Sequence, residues 1–144
     1  MYAIALLIGF LGFCSGQDFL TQKILKIWTN MDTNYADGQL THSEVVQYFH
    51  DGGYYSADGT IQFLNFDYIW GLNYSDPLAV TDYIFKTWDS TAPSGTLSDP
   101  DFMVLANEID TNESTSQGYI SYSTEFVPYF RGLYSNSPGF GRRL

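Results

Sequence analysis

Thirteen residues, "DTNYADGQLTHSE" from Asp32 to Glu44, place oxygen-bearing side chains at close intervals around a glycine. Such a pattern suits a hard cation. Calcium takes roughly six to eight oxygens, and a loop of about twelve residues can supply them from alternate positions, with a glycine to turn the backbone and a final glutamate to give two oxygens. Here Asp32, Asn34 and Asp37 stand at the first three side-chain positions, Gln39 offers its backbone carbonyl, Gly38 supplies the turn and Glu44 closes the set. One extra residue separates Asn34 from Asp37. Three further segments carry the same elements. Asp89, Thr91, Ser94, the carbonyl of Thr96, and Asp101 surround Gly95; Asp110, Asn112, Ser116, the carbonyl of Tyr119, and Glu125 surround Gly118. In the fourth, around Gly59, the acids are Asp51 and Asp58, but Gly53 and Asn65 stand where side-chain ligands belong, so this loop is expected to hold no ion. In chain order these are loops 1 (Asp32), 2 (Asp51), 3 (Asp89) and 4 (Asp110).

The elements that must position the loops repeat with them. Each glycine is followed two residues later by an aliphatic residue, Leu40, Ile61, Leu97 or Ile120, which predicts a very short strand joining one loop to another. Asp32 and Asp89 lie 57 residues apart and Asp51 and Asp110 lie 59 apart, so the chain reads as two duplicated halves, about 17–73 and 74–134, with the boundary near 71–76. Between the loops the apolar spacing is helical. Leu20, Ile24, Ile27, Trp28 and Met31 precede loop 1; Leu78, Tyr83, Ile84 and Trp88 precede loop 3. Short amphipathic runs follow each loop: Val45 to Phe49, Phe66 to Trp70, Phe102 to Ile109 and Phe126 to Phe130. "THSE" at Thr41 to Glu44 fits a capping box, and Pro77 and Pro100 suit a first helical turn.

Taken together, these features resemble the EF-hand superfamily, and their order resembles the small secreted EF-hand proteins of molluscs. The resemblance covers roughly residues 22 to 134. It implies an all-α array of helix-loop-helix units with four degenerate loops in two halves and short β-bridges between loops. It also implies calcium as the bound ion. No loop shows the uninterrupted EF-hand pattern, since each carries an insertion or a substituted ligand. Gly59 and Gly95 stand 36 residues apart, the usual interval between consecutive EF-hands, while the sequence leaves open which loops pair.

Composition narrows the function. The 144 residues carry 16 Asp and Glu against 6 Lys and Arg, a net charge of -10, which disfavours nucleic acid and anionic membranes and favours cations. Residues 1–16, "MYAIALLIGFLGFCSG", form an apolar run of signal-peptide length, shorter than the roughly 20 residues that span a bilayer, so no stable membrane insertion and a secreted location are expected. Cys14, the one cysteine, lies in that run, leaving residues 17–144 without a disulfide or a thiol nucleophile. Asn73-Tyr-Ser75 and Asn112-Glu-Ser114 are N-glycosylation sequons. His42 and His50 lack cysteine partners for a zinc site and read as surface or capping residues. The carboxylates fall at metal-ligand spacing rather than as an acid/base pair, so an enzyme is not expected. Residues 135–144 read as a flexible tail. The leading expectation is a secreted, weak calcium binder acting as an extracellular reservoir, structural or matrix component. The rival is a metal-free interaction or matrix module with vestigial loops.

Overall fold

In the computed structural model, residues 16–33, 38–111 and 118–138 are described, with side chains from Phe19 onward. The N-terminal apolar run, Asn34, Asp37, Asn112, Ser116 and most of the predicted tail lie outside these residues. The 3.6-residue spacing before loop 1 becomes helix α1 (Gly16–Met31), and its five predicted core residues are all buried. Strand β1 (Gln39–Thr41) then leads directly into α2 (His42–Asp51). Thr41 caps α2 as its sequence predicts: its hydroxyl accepts from the Glu44 amide, and Glu44 returns to the Thr41 amide.

The same order recurs with β2 (Ile61–Gln62) into α3 (Phe63–Tyr74), then α4 (Leu78–Trp88), and β3 (Thr96–Leu97) into α5 (Asp99–Ile109). Strand β4 (Tyr119–Ser121) passes into a π-helical turn (Tyr122–Phe126) and then α6 (Val127–Asn136). The chain is thus mostly helical, with two small antiparallel sheets. β1 pairs with β4, Leu40 opposite Ile120; β2 pairs with β3, Ile61 opposite Leu97. Both pairings run between the predicted halves, so each sheet joins residues 38–74 to residues 78–138 and neither closes one half on itself.

Two expectations are adjusted. Leu78 does not share the core face of α4. Val80, Thr81, Ile84, Phe85 and Trp88 are buried, and Leu78, six residues before Ile84, falls about a third of a turn away and is exposed. The final helix also continues to Asn136, and Ser137 beyond it is buried, so ordered structure enters the predicted tail.

Aromatic rings fill the centre. Phe49 from α2 stacks on Phe102 from α5 at 3.9 Å between centroids, and Trp70 from α3 meets Trp88 from α4 edge-on at 5.4 Å. Each such side chain contributes roughly 1.5–3 kcal/mol by leaving water. A buried polar hub ties the first described helix to the last. Asp76 forms an ion pair with Lys23 of α1 and accepts from Trp70 Nε1 at 2.9 Å and from the Tyr134 hydroxyl of α6 at 2.6 Å. The turn that delivers Asp76 follows Ser75, whose φ of 56° is left-handed, and passes close over Gly71, where a Cβ would lie 3.2 Å from the Asp76 carbonyl oxygen. Among the described residues, no helix is long and apolar enough to cross a membrane.

Candidate functional site

Each loop starts where a helix ends. Asp32, Asp89 and Asp110 follow the last residues of α1, α4 and α5, and their amides still bond to helical carbonyls, of Trp28, Phe85 and Ala106. Their side chains therefore leave the helix in a fixed direction. In loop 1, Asp32 Oδ2 accepts from the Gly38 amide at 3.1 Å; in loop 3, Asp89 Oδ2 accepts from the Gly95 amide at 2.6 Å. Both glycines have positive φ, 84° and 95°, the conformation that turns the amide inward. The other oxygens of Asp89 and Asp110, their Oδ1 atoms, are buried with no hydrogen-bond partner. A buried carboxylate oxygen without a donor is costly, which makes both atoms candidate ligands for an ion.

The closing acids are buried as well: Glu44, Asp101 and Glu125. Glu44 Oε1 accepts from the Thr41 amide at 2.8 Å, and Glu125 Oε1 from the Ser121 amide at 2.8 Å. Glu44 stands six residues after its glycine and Glu125 seven. The π-helical turn absorbs that extra residue, so Glu125 still folds back on the end of its strand as Glu44 does. It also reaches the carboxyl of Asp110. Burial raises the pKa of Asp110, the Glu125 contact adds to the rise, and a hydrogen bond from His42 works against it. His42 Nε2 lies 2.8 Å from Asp110 Oδ2, and the Asp110 side chain is only 5% exposed.

Loop 3 closes differently. Asp101 Oδ1 accepts from the amides of Ser90 and Thr91 at 2.8 and 2.7 Å and from the Thr91 hydroxyl at 3.0 Å, and Oδ2 accepts from the Ser98 amide at 2.9 Å. Thr91, expected to face an ion, thus faces Asp101, whose charge the loop's own donors satisfy. Ser94 is exposed, and Thr96 lies in the β3 ladder opposite Gln62. In the other sheet Gln39 lies opposite Ser121 and Tyr119 opposite Thr41.

The candidate ligands of loop 2 find their hydrogen-bond partners close by in the chain. Asp51 is the last residue of α2 and accepts from Gln47; Asp58 is exposed and accepts from the Thr60 amide and hydroxyl, which lower its pKa. Asn65 donates to the Tyr54 carbonyl at 2.8 Å. Its neighbour across the sheet supplies a clasp, in which Asp99 of α5 accepts from His50 at 2.7 Å and from Tyr55, with the two rings stacked.

Among the described residues, no three His, Cys, Asp or Glu side chains converge as a metal cluster. A cavity of about 410 Å³ beside Glu44, lined by Thr33, Ser43, Gln47 and Asp51, opens loop 1 to solvent. Asn73 is exposed in the last turn of α3, and its carbonyl accepts from Lys26 at 2.8 Å. The one site residue that the sequence reading missed is His42. Its partner is 68 residues away, and only the β1–β4 pairing brings them together. No family model, curated protein or solved structure matches the chain.

Proposed function

We propose that the protein is a secreted, EF-hand-like calcium binder whose working site is loop 4, joined through the β1–β4 sheet to loop 1. The observation that carries this reading is Asp110 at the opening of the loop, whose side chain is 5% exposed and whose Oδ1 has no hydrogen-bond partner. Glu125, the closing acid of the same loop, is buried, and its charge adds to the rise in the Asp110 pKa. Bringing like charges together in a poorly solvated place is unfavourable, and a divalent cation offsets it. Asp110 and Glu125 would hold the ion, with the Tyr119 carbonyl and Asn112 as further donors. Asp32 and Glu44, with Asn34, Asp37 and the Gln39 carbonyl, would form the companion site. Loop 3, through Asp89, Thr91, Ser94, Thr96 and Asp101, is the weaker candidate, because Asp101 would have to exchange hydrogen bonds for an ion.

Affinities of extracellular modules lie near 10⁻⁴ to 10⁻³ M, to order of magnitude, so ambient calcium would fill such sites and the ion would act as structure or reservoir. At a free concentration about ten times Kd, the fold gains roughly 1.4 kcal/mol. Calorimetric titration of residues 17–144 tests the reading. Binding that Glu125→Gln abolishes or weakens at least tenfold supports it; a flat titration at millimolar calcium, with an unchanged melting temperature, overturns it.

A second reading, a metal-free interaction module, draws on one specific feature. Leu64, Tyr68 and Leu72 follow one another at four-residue spacing on α3 and are exposed, with Leu78 beyond them. Binding of a protein or matrix partner that is indifferent to calcium would favour it.

A further inference from the structure

We infer that His42 is a positioning residue for loop 4, contributed by the helix that leaves loop 1, and that it sets the calcium affinity of loop 4. The inference rests on the calcium reading of that loop. In loops 1 and 3 the first aspartate is oriented by its own loop, through the amide of Gly38 or Gly95 on Oδ2. Asp110 is oriented from outside. His42 Nε2 meets its Oδ2 at 2.8 Å, and Oδ1 is left buried without a hydrogen-bond partner.

His42 is suited to this by its place in the chain. It is the first residue of α2, directly after Thr41, and Thr41 lies opposite Tyr119 in the sheet. The strand pairing therefore sets the imidazole beside loop 4, and the Thr41 capping box fixes the helix turn that carries it. With its proton on Nε2, the ring donates to Oδ2 and so holds the carboxylate in one orientation. Groups that hydrogen-bond to a metal ligand fix its orientation, and removing them typically weakens metal binding about 10- to 100-fold. The bond also links the loops. An ion that pulls on Asp110 acts through His42 on the first turn of α2, where Glu44 stands two residues further on.

Calcium titration of the full chain followed by NMR distinguishes this role from simple packing, with the Gly118 amide reporting loop 4 and the Gly95 amide reporting loop 3. In His42→Leu the calcium midpoint at Gly118 is expected to rise at least tenfold while that at Gly95 stays within about twofold of wild type. His42→Gln, which places an amide donor near the position of Nε2, is expected to restore the midpoint to within about threefold. A Gly118 midpoint that is unchanged in His42→Leu, or raised equally in His42→Gln, overturns the assignment while leaving calcium binding intact. If neither amide moves in the wild-type chain at millimolar calcium, the calcium reading falls and the role of His42 with it.

Discussion

Loops 2 and 4 have the same span from first aspartate to glycine, yet they spend their polar groups in opposite ways. In loop 2 every candidate ligand has a protein partner: Asp51 has Gln47, Asp58 has Thr60, and Asn65 has the Tyr54 carbonyl. Loop 4 gathers two buried carboxyls and leaves an oxygen of one without a hydrogen bond. Loop 3 stands between them, with one such oxygen on Asp89 and a fully satisfied Asp101. A loop can thus keep its glycine turn and its strand pairing whether or not its carboxylates are arranged for an ion. The turn depends on positive φ and the ladder; the site depends on where each carboxylate finds its hydrogen bonds.

The contrast can be broken most directly at its acidic ends. Glu125→Gln is expected to lower calcium affinity at loop 4 by roughly 100-fold, measured by calorimetry, whereas Asp58→Asn in loop 2 leaves the whole titration unchanged. Next in size is a stability effect. Asp101→Ala strips acceptors from the amides of Ser90, Thr91 and Ser98 and should cost about 3 kcal/mol in urea denaturation, against about 1 kcal/mol for Asn65→Ala, which removes one neutral bond.

A pH dependence should distinguish the loops further. Because the folded-state pKa of Asp110 is raised, the calcium-free fold binds its proton more readily than the unfolded chain does. The stability this contributes is complete below the ordinary aspartate pKa and is lost as pH rises through the raised value. Melting curves of calcium-free protein should show that slope, and Asp110→Asn should flatten it; Asp58, whose pKa is lowered, contributes in the opposite sense. The smallest effect is at the turns. Gly59→Ala forces a side chain to φ 86° and should cost about 1 kcal/mol by thermal melting without altering calcium binding, while Gly95→Ala should disturb both.

Much of this scaffold was legible in local pattern. Leu40, Ile61, Leu97 and Ile120 announced the strands by their place after glycine, Thr41 and Glu44 announced a cap, and the interval from Gly59 to Gly95 hinted at the pairing of loops 2 and 3. These features are short-range, and spacing records them. Contacts across the fold left no such trace. Nothing near His42 names Asp110, and nothing near Lys23 names Asp76, because each pair meets only once the helices have packed. The π-helical turn was hidden for another reason: an extra residue before Glu125 looks like a stretched loop until backbone geometry absorbs it. Leu78 misled because an apolar residue within a helical segment belongs to the core only if its phase agrees.

The pairing of the strands has a consequence for how the chain assembles. Leu40 and Ile120 are 80 residues apart, and the Ile61–Leu97 contact, spanning 36, lies wholly within that interval. The two sheets are nested like brackets. Closing the inner bracket first shortens the chain that the outer one must close by nearly half, and each halving of a loop lowers its closure cost by about 0.6 kcal/mol. The loops least arranged for an ion, 2 and 3, are thereby the entropically cheaper step, and the loops read as calcium sites, 1 and 4, meet across the longer path.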